Sequence, residues 1–211
     1  MSDRTKRILM YRAPVEGTVK TRLAKTIGSE KALALYRWLG LRQLEAALEA
    51  GKTEVRYAPD NAESAMREWL GDEVECVPQG LGELGERMER AVEAAFAETE
   101  TERVILIGAD CPSLDAAALR EAEDCLGEAD VAIGPAEDGG YYLLGLKRAH
   151  ASLFAEIPWG TDRVLERTIE RCREAGLKVA LLERREDVDD WESLQRQKAY
   201  VDTRLWDCIV G

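Results

Sequence analysis

Val104-Ile105-Leu106-Ile107-Gly108-Ala109-Asp110-Cys111-Pro112 is a short apolar run that stops at a glycine and delivers an aspartate. A second stretch repeats the arrangement: Val131-Ala132-Ile133-Gly134-Pro135-Ala136-Glu137-Asp138-Gly139-Gly140-Tyr141. Apolar runs this short, bounded by Gly and Pro, read as buried central strands of a parallel sheet. In open α/β sheets, ligands sit just beyond the carboxyl ends of such strands. Asp110 and Asp138 are therefore expected on the ligand side of one sheet. Carboxylates placed there most often hold a divalent cation together with a substrate phosphate.

Outward from these runs, strand and helix signals alternate. Strands are expected over residues 7–11, 53–58, 73–77, 103–107, 130–133, 141–146 and 178–182. Helices are expected over 29–50, stopped by Gly51; over 83–97, with Leu84, Met88, Val92 and Phe96 four apart; and over 116–126, capped by Asp115 and ended by Gly127. Two more are expected over 162–175, after Thr161 and before Gly176, and over 190–200. This alternation implies βαβ units and a mainly parallel sheet. With no internal repeat or long linker, residues 1–211 read as one domain.

The bulk numbers narrow the partners. The 211 residues are 45% hydrophobic and 33% charged, with a formal net charge of −12. That balance argues against nucleic acid or an anionic membrane surface as the main partner, since both reward clustered Lys and Arg. A nucleotide substrate needs only a local basic pocket and stays compatible. Five cysteines without C-x-x-C spacing and a single histidine, His150, exclude an imidazole-rich metal site and suggest a reduced, cytoplasmic setting. After the basic start of residues 1–7, the apolar run 8–11 is too short for a signal sequence or a membrane span.

Five further segments each support two readings. The loop after the first strand, Arg12-Ala13-Pro14-Val15-Glu16-Gly17-Thr18-Val19-Lys20-Thr21-Arg22, is either a solvated basic turn or a phosphate site in which Lys20 and Arg22 reach one phosphate chain. It is neither a Walker A loop nor G-x-G-x-x-G. Asp110 is either a helix cap or a metal ligand, and the better cap, Asp115, leaves it free. Cys111, with no histidine nearby in sequence, reads as a packing residue rather than a nucleophile. Asp138-Gly139-Gly140 is a hairpin turn that also presents Asp138 to a ligand. Gln79-Gly80-Leu81-Gly82-Glu83 is either a flexible loop or backbone laid against a ligand. Asp187-Val188-Asp189-Asp190 is either an acidic helix cap or, through Asp189, the completion of a metal site with Asp110.

Taken together, these stretches resemble a bacterial family of small GT-A-fold proteins described as glycosyltransferases or nucleotidyltransferases, some associated with arsenosugar biosynthesis. The resemblance rests on Ala13-Pro14 through Ala24, Gln79 through Met88, Ile107 through Leu114, Gly134 through Leu146, Ile157-Pro158-Trp159-Gly160-Thr161 and Asp187-Val188-Asp189. It implies a three-layer α/β/α nucleotide-diphospho-sugar transferase fold, related to molybdopterin and phospholactate guanylyltransferases. It further implies a nucleotide site at Arg12, Pro14, Gly17, Lys20, Arg22, Gln79 and Gly82. Mg²⁺ or Mn²⁺ falls to Asp110 and Asp189, and the substrate to Gly139, Gly140, Tyr141 and Trp159. The chain departs from the family pattern at Asp189-Asp190-Trp191-Glu192-Ser193, where relatives read more like Asp-Thr-Pro-Glu-Asp. It also carries Arg12 for the usual Lys and Glu83 for the usual Asp.

The expected activity is metal-dependent glycosyl transfer from a nucleotide-diphosphate sugar to a small-molecule acceptor. Asp138, Lys20 and Arg22 are the catalytic candidates, with Trp159 and Tyr141 as an apolar wall. One alternative is nucleotidyl transfer from an NTP with pyrophosphate release. Another is nucleotide binding without turnover. The apolar tail Leu205-Trp206-Asp207-Cys208-Ile209-Val210 either packs on the core or meets a second subunit of a homo-oligomer.

Overall fold

A computed structural model describes residues 4–211. The first three residues of the basic N-terminal start lie outside the described residues. The strands are β1 (Thr5–Arg12), β2 (Thr53–Ala58), β3 (Cys76–Pro78), β4 (Arg103–Ile107), β5 (Val131–Pro135), β6 (Tyr141–Leu146) and β7 (Val179–Leu181). They form one sheet in the order β3-β2-β1-β4-β6-β5-β7. Every neighbour pair is parallel except β4–β6 and β5–β6, so β6 alone runs backwards. The first quoted run is thus the central strand of seven. The second joins β5 to β6 through the expected hairpin.

The helices are α1 (Thr21–Ile27), α2 (Ser29–Ala50), α3 (Glu63–Leu70), α4 (Leu84–Phe96), α5 (Ala116–Glu128), α6 (Val164–Glu174), α7 (Trp191–Arg196) and α8 (Thr203–Val210). Alternation along the strands decides which layer each face meets. Leu9 and Tyr11 of β1, with Ile105 and Ile107 of β4, face the layer of α2, α3 and α5. Ile8, Val104 and Leu106 face the opposite layer, α4 and α6, through Met88, Val92 and Cys172. The result is the expected three-layer α/β/α sandwich. The tail packs on the core: Ile209 of α8 is buried among Leu35, Leu39 and Val188, and Trp206 stacks on Trp191 at 6.1 Å. Among the described residues no helix is long and apolar enough to cross a membrane.

Several boundaries differ from expectation. Helix α5 runs through Gly127 to Glu128, because Ala129 supplies the closing N–H to the Cys125 carbonyl. Helix α6 begins at Val164 rather than near Thr161, whose hydroxyl is spent on the Pro158 carbonyl at 2.8 Å. The last expected helix breaks at Gln197 into α7 and a 3-10 turn over Lys198–Tyr200. The expected strand 73–77 slides to Cys76–Pro78, where β2 offers partners. Helices α1, α3 and α8 come in addition.

Candidate active site

The carboxyl ends of β1 and β4, the β5–β6 hairpin and the residue 187–189 segment enclose a cleft of about 720 Å³. Its construction begins at Arg12, the last residue of β1. The Tyr36 hydroxyl from α2 accepts from the Arg12 N–H at 3.0 Å and donates to its carbonyl at 2.9 Å, fixing where the following loop departs. The loop returns at Lys20, which caps α1 in a left-handed conformation (φ 48°, ψ 42°). That conformation costs a residue other than glycine roughly 1–2 kcal/mol. Such strain persists where the surrounding structure over-determines it.

Here the over-determination lies in the side chain. The Lys20 side chain is 4% exposed, with its ammonium 2.5 Å from Asp110 Oδ1 and 3.3 Å from Asp189 Oδ1. It also donates to the Val188 carbonyl at 2.5 Å. Burial alone would lower the Lys20 pKa, but the charges of Asp110 and Asp189 prevail and raise it. The Val188 N–H donates to the Asp110 carbonyl at 2.8 Å, which ties the loop after β4 to the 187–189 segment. Asp187 stands beside them with Oδ1 enclosed and without a hydrogen-bond partner. Burial, reinforced by the Asp110 charge, pushes its carboxyl up to about 8 against the pull of Lys20.

Asp138 reaches the cleft from the hairpin, its Oδ1 accepting from the Gly140 N–H at 2.9 Å. Gly139 is a packing residue: a Cβ there would lie 2.1 Å from the Asp162 carbonyl oxygen, and its own carbonyl accepts from the Leu165 N–H at 2.9 Å. Tyr141 and Trp159 meet edge to face at 6.3 Å and line the cleft with Met10, Leu84 and Met88. Trp159 also presses on α4, where a Cβ on Gly85 would stand 2.5 Å from its Nε1. Trp159 is thus partly buried against the core and also lines the cleft. Arg22 is 65% exposed and pairs with Asp190 at 3.2 Å.

The structure therefore gathers Arg12, Lys20, Arg22, Asp110, Asp138, Gly140, Tyr141, Trp159 and Asp189 around one cleft. It leaves Pro14, Gly17, Gln79, Gly82 and Gly139 out of the lining. Gln79 is buried and its amide clamps the Tyr11 and Arg56 carbonyls at 3.0 and 2.9 Å, so its polar atoms serve the sheet. Gly82 packs on its own helix, where a Cβ would meet the Glu86 carboxylate. The Cys111 thiol is buried and pushed up to about 11, first by burial and then by the Asp187 charge, as befits a packing residue. Sequence reasoning passed over Asp187 and Asp162. A period of two gives a signal for Asp187: Val188 is fully buried while its two neighbours line the cleft.

The donor set suits a hard cation. Asp110, Asp187 and Asp189 with the Val188 carbonyl are all oxygen donors, as Mg²⁺ and Mn²⁺ prefer. A stand-in cation, the Lys20 ammonium, already sits among them. Among the described residues no three His, Cys, Asp or Glu side chains are grouped as a ready-made metal site.

Solved structures share this architecture. A protein of Desulfovibrio desulfuricans G20, provisionally described as a nucleotide-diphospho-sugar transferase, is 30% identical, with a TM-score of 0.84 over 93% of this chain and 96% of its own. Mycobacterium tuberculosis Rv0371c, solved in complex with manganese, shares the fold at 17% identity and a TM-score of 0.56, over 94% of this chain and 100% of its own. So does the inositol-1-phosphate CTP transferase of T. maritima, at 14% identity and 0.55, over 98% and 95%. The fold is that of the nucleotide-diphospho-sugar transferases. No curated protein matches the sequence. The sequence profile of one bacterial family matches residues 41–161, more than half the chain, and this protein belongs to that family, described as uncharacterized protein conserved in bacteria (DUF2064).

Proposed function

We propose that this protein is a metal-dependent transferase that moves a glycosyl group from a nucleotide-diphosphate sugar to a small-molecule acceptor. The observation that carries this reading is the charge of the cleft. Five aspartates line it (Asp110, Asp138, Asp162, Asp187 and Asp189), Asp187 with its carboxyl pushed up to about 8, against three cations, Arg12, Lys20 and Arg22, so acidic groups outnumber basic ones even with Asp187 protonated. A bare phosphate chain is repelled by that balance, whereas a phosphate chain carrying a divalent cation is accepted. Three cations, Lys20 and Arg22 among them already engaged by carboxylates, suit a diphosphate better than a triphosphate.

In this reading Asp110 and Asp189 hold Mg²⁺ or Mn²⁺, which offsets charge on the phosphate oxygens of the departing nucleotide. Arg12 and Arg22 bind those phosphates from the rim, and Lys20 from the floor. Asp138, aimed by the Gly140 N–H, orients the acceptor hydroxyl and takes its proton as the bond to the anomeric carbon forms. Tyr141 and Trp159 exclude water and support the acceptor or sugar face. Catalysis is then mainly positioning and electrostatics.

The test is a panel of nucleotide sugars and NTPs with Mn²⁺, following release of nucleoside diphosphate or of pyrophosphate. Nucleoside diphosphate release with one sugar donor is expected. Sustained pyrophosphate release would replace glycosyl with nucleotidyl transfer. Binding without either product would leave a nucleotide-binding module. Asp110→Asn should weaken Mn²⁺-dependent nucleotide binding by about 10–100-fold, the scale of a lost contact to a charged group; unchanged binding would remove Asp110 from the site.

A further inference from the structure

An ammonium group has three N–H donors and no acceptor. Lys20 donates to the Val188 carbonyl and to Asp189 Oδ1, and its ammonium stands 2.5 Å from Asp110 Oδ1 as an ion pair rather than a hydrogen bond. Its one charge is thereby spent on these three oxygens rather than on a phosphate. By the same count, a divalent cation seeking Asp110 and Asp189 meets a positive charge already lodged between them. The two ligands of the proposed reaction are blocked by a single side chain, and either could be admitted only by moving it. The left-handed backbone at Lys20 and its near-complete side-chain burial show that this placement is imposed by the fold rather than adopted by a loose surface chain.

We propose that Lys20 is a positioning residue serving as a built-in cation: it keeps the Asp110–Asp187–Asp189 cluster closed to Mg²⁺ or Mn²⁺ until a nucleotide phosphate draws the ammonium away, so that metal ion and nucleotide bind as a coupled pair. This rests on the reading of the cleft as a nucleotide site. When Lys20 turns to the phosphate, the carboxylates lose one positive charge and gain two, and the phosphate gains a cation. Each ligand thus creates the conditions for the other. Such coupling is reciprocal by thermodynamic necessity. Without nucleotide, Lys20 spares the protein the cost of leaving Asp110 and Asp189 unpaired in one place.

The experiment measures Mn²⁺ binding to the full chain from the spin-resonance signal of free Mn²⁺, alone and with UDP, GDP, ADP or CDP. It uses wild type, Lys20→Met and Lys20→Gly, the last suited to the left-handed backbone. Wild type is expected to bind Mn²⁺ about tenfold or more tightly with one nucleotide than without. In the folded variants, Mn²⁺ alone should bind about tenfold more tightly than to wild type, and nucleotide should add little further. Equal Mn²⁺ affinity in wild type with and without its nucleotide overturns the inference, with no variant needed. So does a folded variant with wild-type affinity for Mn²⁺ alone. If none of the four nucleotides binds wild type even with Mn²⁺, the transferase reading fails with the coupling. The Mn²⁺-only comparison then decides separately whether Lys20 occupies a cation's place.

Discussion

Lys6 and Lys20 are both lysines whose side chains are enclosed beside carboxylates, one at each end of the sheet. At the amino end, the Lys6 ammonium lies 2.5 Å from Glu54 Oε2 and 2.5 Å from Glu98 Oε1. Arg56 takes the other Glu54 oxygen, and Lys52 the other Glu98 oxygen at 2.6 Å. Every carboxylate oxygen there has a cation. At the carboxyl end, Lys20 is the lone ammonium among Asp110, Asp187 and Asp189, and one Asp187 oxygen has no partner. Matched charge closes a structure off, whereas unmatched charge of one sign is a standing demand for a ligand. That contrast separates the structural cluster from the candidate ligand site better than burial does.

The sharpest way to break the contrast is Glu54→Ala. Lys6 and Arg56 would lose their shared carboxylate inside the protein, and unfolding in urea should show a loss of about 3–5 kcal/mol. A loss below about 1 kcal/mol would mean that the amino-end cluster is not a closed ionic unit.

Asp187→Asn should act in the opposite direction. In EDTA near pH 8 the variant should melt higher than wild type, by about 2–8 °C for a gain of 1–2 kcal/mol. The sign follows from its raised pKa. The fold retains a proton that the unfolded chain has released, so wild type is penalised progressively as pH rises from about 4, the unfolded value, towards 8. The advantage of the variant should therefore vanish at pH 4. A variant that melts lower at pH 8 would show that Asp187 is a structural anchor.

The smallest effect is expected from Arg22→Ala. Its pair with Asp190 is exposed and contributes under about 1 kcal/mol, so the melting temperature should barely move. Affinity for a nucleoside diphosphate should fall several-fold. Unaltered affinity would take Arg22 off the phosphate path.

Much of this was legible in the sequence for a physical reason. Strands β4 and β6 and helix α2 have the expected bounds because each is a clean apolar run or a long stripe closed by Gly, and β2, Thr-Glu-Val-Arg-Tyr-Ala, has them because it lies between Gly51 and Pro59. Helix α1 buries only Leu23, and α3 only Met66 and Trp69, so neither carries enough periodic signal to stand out. The site was legible where a strand end points to it, as at Asp110, and where a turn does, as at Asp138. The family resemblance implies Gln79 at the nucleotide, but its amide is committed to two backbone carbonyls, a long-range fact no local pattern holds. Asp187 looked like one more capping acid. What distinguishes it from Asp190, the actual cap, is its burial beside Asp110, 77 residues earlier.

The reversed strand has a consequence for how this molecule could be altered. Asp110 leaves the top of β4, and Asp138 stands just ahead of β6, whose Leu143 lies opposite Ile107 in the ladder. The gap between these two aspartates is thus gauged by adjacent rungs of hydrogen-bonded backbone, as by a pair of callipers locked at one setting. The excursion from residue 147 to 163, which carries Trp159 to the cleft, leaves from the far end of β6 and returns to rest on the hairpin, Asp162 against Gly139 and Trp159 against Tyr141. Its exposed positions could be exchanged to change what the cleft admits, provided Leu153, Phe154 and Ile157 stay anchored in the core and the two carboxylates keep their distance.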